Sequence, residues 1–318
     1  MSSPTFWKDK RVLVTGGHGF LGRHLLTALG LLGADVHAPP KEKLDLLQEP
    51  ALARVLGTNV YDLVIHLAAV IGGIGRNAID PGRIFRDNML MGMNVIHCAH
   101  LYGVPKVVCL GSICAYPKFC DIPFQECDLW NGYPEETNAP YGFAKKMLTV
   151  MSDAYRKQYG LNSIVIYPSN LYGPYDHFDL ETCHVIPAMI RKFTEARNAR
   201  AASVTLWGDG SATREFLYAP DCVEGILLAA EHYDSSEPLN LGTGAEISIA
   251  ELAELIRRMT GYEGSVVYDT TRPNGQPRRR VDATRAQRLI GFSPATSLAD
   301  GLSRTVDWYL SSVERSRL

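Results

Sequence analysis

Short apolar runs alternate with longer amphipathic segments along the first half of the chain. The runs predict strands at Val12–Thr15, Asp35–Ala38, Leu63–Ala68, Val107–Leu110 and Ser163–Tyr167. Between them, apolar residues at helical spacing predict helices over Phe20–Leu32, Ile84–Tyr102 and Met147–Tyr159. Repeated alternation of strand and helix is typical of a parallel sheet that is covered by helices on both faces.

After about residue 173 the alternation becomes irregular. It predicts helices over Val185–Arg197, Asp221–Glu231 and Leu298–Leu310, and short strands at Val204–Trp207, Leu239–Leu241 and Val266–Tyr268. Ser248 and Glu251 form the capping-box pattern that opens one more helix. We therefore expect an α/β fold, a Rossmann-type doubly wound parallel sheet with a smaller C-terminal substrate-binding cap. Residues 1–172 should be mainly the Rossmann domain and 173–318 mainly the cap, with a segment near 214–245 returning to the main domain.

The glycine-rich segment Thr15–Gly22 lies between the first predicted strand and the first predicted helix. Its glycines at 16, 19 and 22 permit a tight turn, close approach of the backbone to a pyrophosphate, and close packing of the helix on the sheet. The helix N-terminus then offers amide hydrogens and a positive dipole to the phosphates. We predict a dinucleotide site that includes Gly16, Gly19, Phe20, Leu21 and Ala68.

The end of the second predicted strand distinguishes NAD from NADP. Enzymes that bind NAD usually place Asp or Glu there, because a carboxylate accepts hydrogen bonds from the ribose hydroxyls. Here the segment 35–41 ends without an acid, and Lys41 stands nearby. This favours NADP(H), with NAD(H) as the alternative if Lys41 is only a solvated loop lysine. Asp45 and Leu46 are expected beside the adenine ring.

Tyr141 and Lys145 stand four residues apart near the start of a helical pattern, so their side chains share a helix face. A free phenol titrates near ~10, and we expect a neighbouring ammonium to bring the pKa of Tyr141 toward the working range. Tyr141 would exchange a proton with a substrate carbonyl. Ser112 follows the strand Val107–Leu110 and is placed to hydrogen-bond the oxygen of that carbonyl. An amphipathic helix face gives the same spacing, but the glycine loop upstream favours a proton-relay set.

The order of these motifs resembles the extended short-chain dehydrogenase/reductase family. Within it, the chain is similar to the GDP-L-fucose synthases over nearly its whole length. The matching segments GGIGRN, GSICAYPK, NLYGP, HVIP and REFLY occupy residues 72–77, 111–118, 170–174, 184–187 and 214–218. The resemblance implies epimerisation of a GDP-4-keto-6-deoxy sugar at C3 and C5, followed by NADPH-dependent reduction at C4.

The resemblance also gives roles to two more residues. Cys114 matches the family's epimerisation acid/base cysteine, and His184 matches its partner histidine. A C4 ketone acidifies the hydrogens on C3 and C5, and inversion needs a base on one face of the sugar and an acid on the other. Ser112 and Cys114 share a face if strand geometry continues. Otherwise Cys114 is a small core residue, and His184 is a surface histidine near a helix start.

The substrate-binding residues follow from the same resemblance. Arg214 matches a family arginine and is expected to pair with the nucleotide diphosphate, since a guanidinium suits bidentate phosphate contact. Arg279, within the run 278–280, either assists it or belongs to a solvated charge run. The remaining candidates for substrate binding are Asn170, Lys192 and Trp207.

Three departures from the fucose synthases leave the sugar open. His18 stands where those enzymes carry an arginine near the cofactor phosphate, His177 where an asparagine is more usual, and Lys192 where an arginine is. One alternative is therefore a 4-reductase of a related GDP-6-deoxyheptose. Another is an epimerase with tightly held NAD and no net redox change, similar to GDP-mannose 3,5-epimerase. A non-enzymatic dinucleotide sensor is the third, although it would not need a proton-relay set.

Composition excludes several other classes of protein. A net charge of −2 over 318 residues gives no basic field for nucleic acid or anionic membranes. Seven cysteines without CxxC spacing indicate a reducing compartment, and no apolar run approaches a signal peptide or membrane span, so we expect a cytoplasmic protein. His97, Cys98 and His100 lack a matching ligand set, and no metal site is predicted.

We also expect a homodimer. The family resemblance suggests packing through the helix that carries Tyr141 and Lys145, together with the helix over Ile84–Tyr102. Apolar residues on these two helices that support such an interface are Met89, Met93, Ile96, Met147 and Met151.

Overall fold

The computed structural model describes residues 2–72, 77, 79–272 and 274–315. The strands are β1 (Arg11–Thr15), β2 (Asp35–His37), β3 (Leu63–His66), β4 (Lys106–Leu110), β5 (Asn162–Pro168), β6 (Asn170–Tyr172), β7 (Ser203–Trp207), β8 (Thr213–Arg214), β9 (Phe216–Tyr218), β10 (Leu239–Leu241), β11 (Ile247–Ser248), β12 (Ser265–Asp269) and β13 (Arg278–Arg279). The helices are α1 (Pro4–Trp7), α2 (Phe20–Leu31), α3 (Glu49–Thr58), α4 (Pro81–Leu101), α5 (Ala139–Tyr159), α6 (Val185–Ala199), α7 (Ala219–His232), α8 (Ile249–Met259), α9 (Thr284–Ile290) and α10 (Leu298–Arg315).

Six strands form one parallel sheet in the order β10-β5-β4-β3-β1-β2. The chain passes from β1 outward to β2 and then returns to place β3 on the other side of β1. The carboxyl ends of β1 and β3 therefore flank the switch point where doubly wound sheets bind ligands. The predicted fold class is confirmed, and Leu239–Leu241 joins the main sheet beside β5 as expected.

The two faces of this sheet are covered by separate apolar cores. Val12 and Val14 of β1 are buried with α2 and α7 on one face, while Leu13 is buried with α3, α4 and α5 on the other. Successive strand residues point to opposite faces, so a strand covered on both sides reads as a continuous apolar run. That is why the central strands could be recognised from the sequence.

Helices α4 and α5 pack closely side by side. A Cβ on Gly92 of α4 would lie 2.2 Å from a methyl carbon of Leu148 on α5. Helix α5 begins earlier than the predicted segment Met147–Tyr159. Its first two turns bury the polar side chains of Lys145 and Lys146, which breaks the apolar period expected of a packed helix.

The residues expected to form a dimer surface are only partly available on these helices. Ile96 is completely buried in the core of the same chain, so that part of the expectation is wrong. Met93 is 44% exposed, and Val150 on α5 is 46% exposed. Met89, Met147 and Met151 are half-buried.

The C-terminal segments build a third core around α6, α8 and α10, in which Ile190, Phe193, Leu252 and Ile256 are fully buried. Three small sheets border this core: β8 pairs with β11 and β13, β7 pairs with β12, and β6 pairs with β9. The predicted capping box is confirmed, since the Glu251 amide donates to Ser248 Oγ at 3.1 Å and the Ser248 amide donates to Glu251 at 3.0 Å. No helix in the described ranges is long and apolar enough to cross a bilayer.

Candidate active site

The glycine loop is wedged between β3 and the helix that it opens. Gly16 has φ +75°, and a Cβ there would lie 2.6 Å from the backbone nitrogen of Ala68, just after β3. A Cβ on Gly22 would lie 2.2 Å from the Gly16 carbonyl oxygen. Both positions therefore require glycine, the first because of its conformation and its neighbour, the second because helix α2 approaches the loop so closely.

The start of α2 is open to an anion. Gly19 is the N-cap residue and brings no side-chain acceptor, and no acidic residue lies in the first turn. The first i−4 hydrogen bond is donated by Arg23 to the Gly19 carbonyl at 3.0 Å, so the amides of Phe20 and Leu21 have no such partner in the helix. These amides and the helix dipole fit the pyrophosphate of a dinucleotide.

The loop after β2 lies beside the glycine loop. His18 Nε2 is 2.9 Å from the Ala38 carbonyl oxygen, and Lys41 is exposed. Asp45 accepts from the Leu47 amide at 3.1 Å within its own turn. The Leu46 side chain is buried in the core, and its carbonyl accepts from Asn94 of α4. Leu46 therefore fixes this loop on α4, in addition to any contact with adenine.

Tyr141 and Lys145 lie one turn apart on α5, with the Lys145 ammonium 5.9 Å from the centre of the Tyr141 ring. Burial raises the pKa of the Tyr141 phenol, the nearby Cys114 raises it further, and a hydrogen bond with Ser112 opposes the rise. The expected lowering by the ammonium is wrong for this structure, because burial of the phenol dominates. Tyr141 is consequently held as the protonated phenol, which is the form that a proton donor needs.

Lys145 is 3% exposed, and burial lowers the pKa of its ammonium group to about 8, an effect that Cys109 opposes. Close by lies His66, at the end of β3, which makes a 2.7 Å hydrogen bond with Thr15 Oγ1. Burial, with a further contribution from Lys145, lowers the pKa of His66 to about 3. The imidazole is therefore neutral, and Lys145 is the group beneath Tyr141 whose charge changes near neutral pH.

Ser112 and Cys114 come together through a turn, which corrects the expectation that strand geometry continues. Strand β4 ends at Leu110, and Ile113–Ala115 is a single 3₁₀ turn. Ser112 caps this turn, its Oγ accepting from the Cys114 amide at 3.2 Å. The turn still leaves Cys114 close enough to influence the phenol of Tyr141.

Helix α5 approaches this turn at Gly142. A Cβ on Gly142 would lie 2.3 Å from the Cys114 carbonyl oxygen. The glycine after the tyrosine therefore sets the distance between the two segments that carry the candidate catalytic residues. Sequence reasoning missed this residue, although a glycine inside a helical pattern costs about 1 kcal/mol relative to alanine and so signals a packing reason.

Two arginines stand side by side on the cap. Strands β8 and β13 run parallel with Arg214 and Arg279 as register partners. Burial lowers the pKa of Arg214 to about 10, and the charge of Arg279 adds to this effect. Arg279 also reaches the turn Ile113–Ala115, since its Nη1 donates to Cys114 Sγ at 3.7 Å. Neighbouring like charges of this kind are unfavourable until an anion joins them.

Glu215 holds this pair in place and was also missed from the sequence. It is fully buried, and its carboxylate accepts from the backbone amides of Thr243, Gly244 and Val281. Its own amide donates to the Arg279 carbonyl at 3.1 Å. The carboxylate is thus satisfied by backbone amides, which leaves the charges of the two guanidiniums uncompensated by it. Glu215 directly follows Arg214, a candidate substrate residue, and that adjacency was the sequence signal that could have identified it.

The other predicted substrate residues lie on the cap elements. Asn170 Nδ2 donates to the Glu215 carbonyl at 2.8 Å, which ties β6 to β9. Lys192 on α6 donates to the Thr205 carbonyl of β7 at 3.2 Å, and Trp207 lies two residues further along that strand. Trp207 is 56% exposed, and the Arg272 guanidinium lies 5.2 Å from its ring centre. The same loop reaches both groups, because a Cβ on Gly208 would meet Asn274 and a Cβ on Gly275 would lie 3.4 Å from Arg214 Nη2.

His184 is the N-cap residue of α6 and is exposed to solvent. Desolvation of the ring by neighbouring groups lowers the pKa of its imidazole, and the charge of His177 lowers it further. Among the described residues, Cys114 Sγ accepts from Arg279, and no hydrogen bond links it to His184. Residues 73–76 of the GGIGRN segment lie outside the described residues. Among the described residues, no group of three or more His, Cys, Asp or Glu side chains is arranged to hold a metal ion.

Comparisons with known proteins agree with this geometry. The family model described as "NAD dependent epimerase/dehydratase family" matches residues 12–242. A GDP-L-fucose synthase of Sinorhizobium fredii is 39% identical over 304 residues, which cover 96% of each chain. A GDP-6-OMe-4-keto-L-xylo-heptose reductase from C. jejuni superimposes with a TM-score of 0.91 at 26% identity, covering 96% of this chain and 98% of its own. A GDP-L-fucose synthetase from Naegleria fowleri bound to NADP gives 0.88 at 27%, covering 98% and 97%.

Proposed function

This chain belongs to the NAD dependent epimerase/dehydratase family, and from that premise we propose that it epimerises a GDP-4-keto-6-deoxy sugar at C3 and C5 and reduces it at C4 with NADPH. It is an NAD(P)-dependent enzyme that acts on nucleotide sugars. The Sinorhizobium relative and both structural neighbours carry GDP-sugar activities in their names, which supports a GDP-linked substrate.

One observation carries the proposal: a thiol, a protonated phenol and a pair of guanidiniums meet in one site. Arg279 contacts Cys114, and Cys114 in turn influences Tyr141. Arg214 and Arg279, held in register, suit the two phosphates of a nucleotide diphosphate, because each guanidinium can make two parallel hydrogen bonds to phosphate oxygens. A diphosphate there would leave the attached sugar beside the catalytic turn.

The reduction step uses Tyr141, Ser112 and Lys145. When bound, NADPH supplies a hydride for C4. Tyr141 donates its phenolic proton to the C4 oxygen, so hydride and proton together convert the ketone into an alcohol. Ser112 hydrogen-bonds the same oxygen while negative charge develops on it. The Lys145 ammonium then stabilises the phenolate that Tyr141 becomes.

The epimerisation step uses the acidity that the C4 ketone gives to its neighbours. A base removes the proton from C3 or C5, and the resulting enolate oxygen is held by Ser112 and Tyr141. An acid then returns a proton to the opposite face. The lowered pKa of His184 keeps its imidazole neutral and able to accept a proton, and Cys114 is the second acid/base group of this step.

Three variants separate these steps. Tyr141→Phe should abolish NADPH oxidation, since no acid remains to protonate the C4 oxygen. Cys114→Ser should mainly block deuterium uptake from heavy water at C3 and C5, because a hydroxyl is a far weaker acid than a thiol that titrates near ~8.5. His184→Asn should behave like Cys114→Ser. The matched control is Cys127→Ser, at an exposed cysteine of the turn Glu126–Trp130, which should retain both activities.

Deuterium uptake is followed by NMR on the GDP-4-keto-6-deoxymannose substrate, alongside NADPH absorbance. Uptake at the native rate in Cys114→Ser would make that cysteine a packing residue and refute the epimerase half of the proposal. Epimerisation by the native enzyme without NADPH consumption would instead support an epimerase with bound NAD.

A 4-reductase of a GDP-linked heptose is the second candidate. The TM-score of 0.91 to a GDP-6-OMe-4-keto-L-xylo-heptose reductase favours it. It predicts NADPH oxidation with a 4-keto-heptose and no deuterium uptake at C3 or C5. Presenting both 4-keto substrates to the native enzyme distinguishes the two candidates.

A further inference from the structure

We propose that Glu135 accepts a hydrogen bond from the hydroxyl group on C2 of the substrate sugar and so holds the ring in place while C3 and C5 invert. The proposal rests on the proposed function, because it concerns the sugar of that same substrate. Neither the reduction step nor the epimerisation step uses Glu135 for its chemistry.

Glu135 is tied to the start of the helix that carries Tyr141. Asn138 is the N-cap residue of α5, and its amide donates to the Glu135 carbonyl at 2.9 Å. The side-chain Nδ2 of Asn138 donates to Glu135 Oε2 at 2.8 Å, while its Oδ1 accepts from the buried Asn77 at 3.0 Å. The carboxylate is therefore held in place just before the turn of α5 that contains Tyr141.

Glu135 also faces the arginine that touches Cys114. The charge of Arg279 acts on Glu135, although no ion pair joins the two side chains among the described residues. Arg279 donates from Nη1 to Cys114 Sγ at 3.7 Å and from Nε to Gln276 at 2.7 Å. A sugar whose diphosphate binds Arg279 and whose C4 meets Tyr141 would therefore lie beside Glu135.

The Glu135 carboxylate has hydrogen-bonding capacity to spare. An ionised carboxylate offers about four lone-pair sites, and its donors here are the Thr137 hydroxyl at 2.5 Å, the Thr137 amide and Asn138 Nδ2. Burial alone would raise the pKa of Glu135, but these hydrogen bonds and the charge of Arg279 lower the pKa overall. An ionised carboxylate accepts hydrogen bonds and repels phosphate, so it suits a hydroxyl group of the substrate and not its diphosphate.

The chemistry of the sugar selects the hydroxyl group on C2. In a GDP-4-keto-6-deoxyhexose, C1 carries the diphosphate, C4 the ketone and C6 a methyl group, so hydroxyl groups remain only on C2 and C3. Epimerisation turns the hydroxyl group on C3 to the other face of the ring, whereas the one on C2 keeps its configuration. A contact at C2 therefore persists through the reaction, and together with the contacts to the diphosphate and to C4 it fixes the orientation of the ring.

The experiment combines Glu135→Gln with a substrate that cannot donate from C2. Glutamine keeps the shape of the side chain and removes its charge. Values of kcat/KM are measured with GDP-4-keto-6-deoxymannose and with its 2-deoxy-2-fluoro analogue, since fluorine cannot donate a hydrogen bond. Glu136→Gln is the matched control, because it removes the same charge from the next residue, which is exposed and paired with Lys118 at 2.8 Å. Isothermal titration calorimetry with GDP alone reports the binding of base and diphosphate.

The loss of kcat/KM that fluorine causes should be about 10- to 100-fold smaller in Glu135→Gln than in the native protein, which is the range for a hydrogen bond to a charged group. Glu136→Gln should follow the native protein, and all three should bind GDP equally. Each loss compares two substrates on one protein, so a reduced amount of folded enzyme cancels.

Equal losses in all three proteins would overturn the proposal and make Glu135 a structural residue of the helix start. Weaker GDP binding by Glu135→Gln would also overturn it, because the carboxylate would then contact the base. A native protein that does not turn over GDP-4-keto-6-deoxymannose would refute the proposed function itself.

Discussion

Replacing Gly142 by alanine should separate the stability of the fold from its catalysis. Gly142 follows Tyr141 in the first turn of α5, and an added Cβ would lie 2.3 Å from the Cys114 carbonyl oxygen. Ordinary van der Waals contact begins near 3.4 Å, so helix and turn must separate by about 1 Å. Both partners are backbone, so no side-chain rotation relieves the contact.

The magnitude follows from that displacement. A 1 Å error in the placement of catalytic groups costs about 10²-fold in rate. We expect losses of this size in both NADPH oxidation and deuterium uptake, because Tyr141 lies on one side of the contact and Ser112 and Cys114 on the other. Stability should change less, since alanine gains up to about 1 kcal/mol of helix propensity while overpacking costs about 1–3 kcal/mol.

Steady-state kinetics, NMR exchange and thermal unfolding of the purified variant test this. Gly30→Ala is the matched control, because Gly30 also lies in a helix and a Cβ there would meet nothing within 4 Å. It should keep full activity with equal or higher stability. Native activity in Gly142→Ala, with an unchanged unfolding temperature, would refute the argument that this glycine sets the catalytic distance.

Two more predictions follow from burial. Because burial lowers the pKa of Lys145 to about 8, the unfolded chain binds more protons than the native protein above that pH, and native stability should rise with pH up to about 10. Lys145→Met should lack this rise, so the difference in free energy of unfolding between the variant and the native protein should change by about 2 kcal/mol in favour of the native protein between pH 8 and pH 10. Denaturant titrations measure it, and parallel dependences of the two proteins on pH would refute the prediction. Light scattering should give the molar mass of a homodimer. Val150→Glu, at an exposed residue of α5, should give the mass of a monomer, whereas Leu31→Glu, at an exposed residue of α2, should not. A monomeric mass of the native protein at micromolar concentration would refute this.

The main elements of the fold could be predicted because burial imposes a period on them. Strands β1, β3 and β4 are covered on both faces, so their apolar runs were evident, and the capping box marked the start of α8. The short cap strands β8, β11 and β13 are two residues long, too short to show any period. Pairing with distant segments fixes them, and local sequence carries no record of that pairing.

The candidate site, like the fold, could be predicted from the sequence only in part. Tyr141, Lys145, Ser112 and Cys114 could be selected from motifs, because the chemistry requires those residue types. Their environment could not be, since burial controls the protonation of the phenol and of the ammonium, and burial belongs to the assembled protein. The contact between Arg279 and Cys114 joins residues 165 positions apart, which no local pattern reveals.

Arg214 and Arg279 were both candidates from the sequence, but only the fold shows that they stand side by side. Arg214 and Arg279 are register partners, so the geometry of two strands, and not attraction, brings their charges together. Glu215 secures that geometry because its carboxylate accepts from backbone amides, and it is not paired with either guanidinium. Like charges held close in a partly buried place favour the ligand that neutralises them. A diphosphate would do so, and Arg279, which also touches Cys114, would then couple its arrival to the catalytic turn.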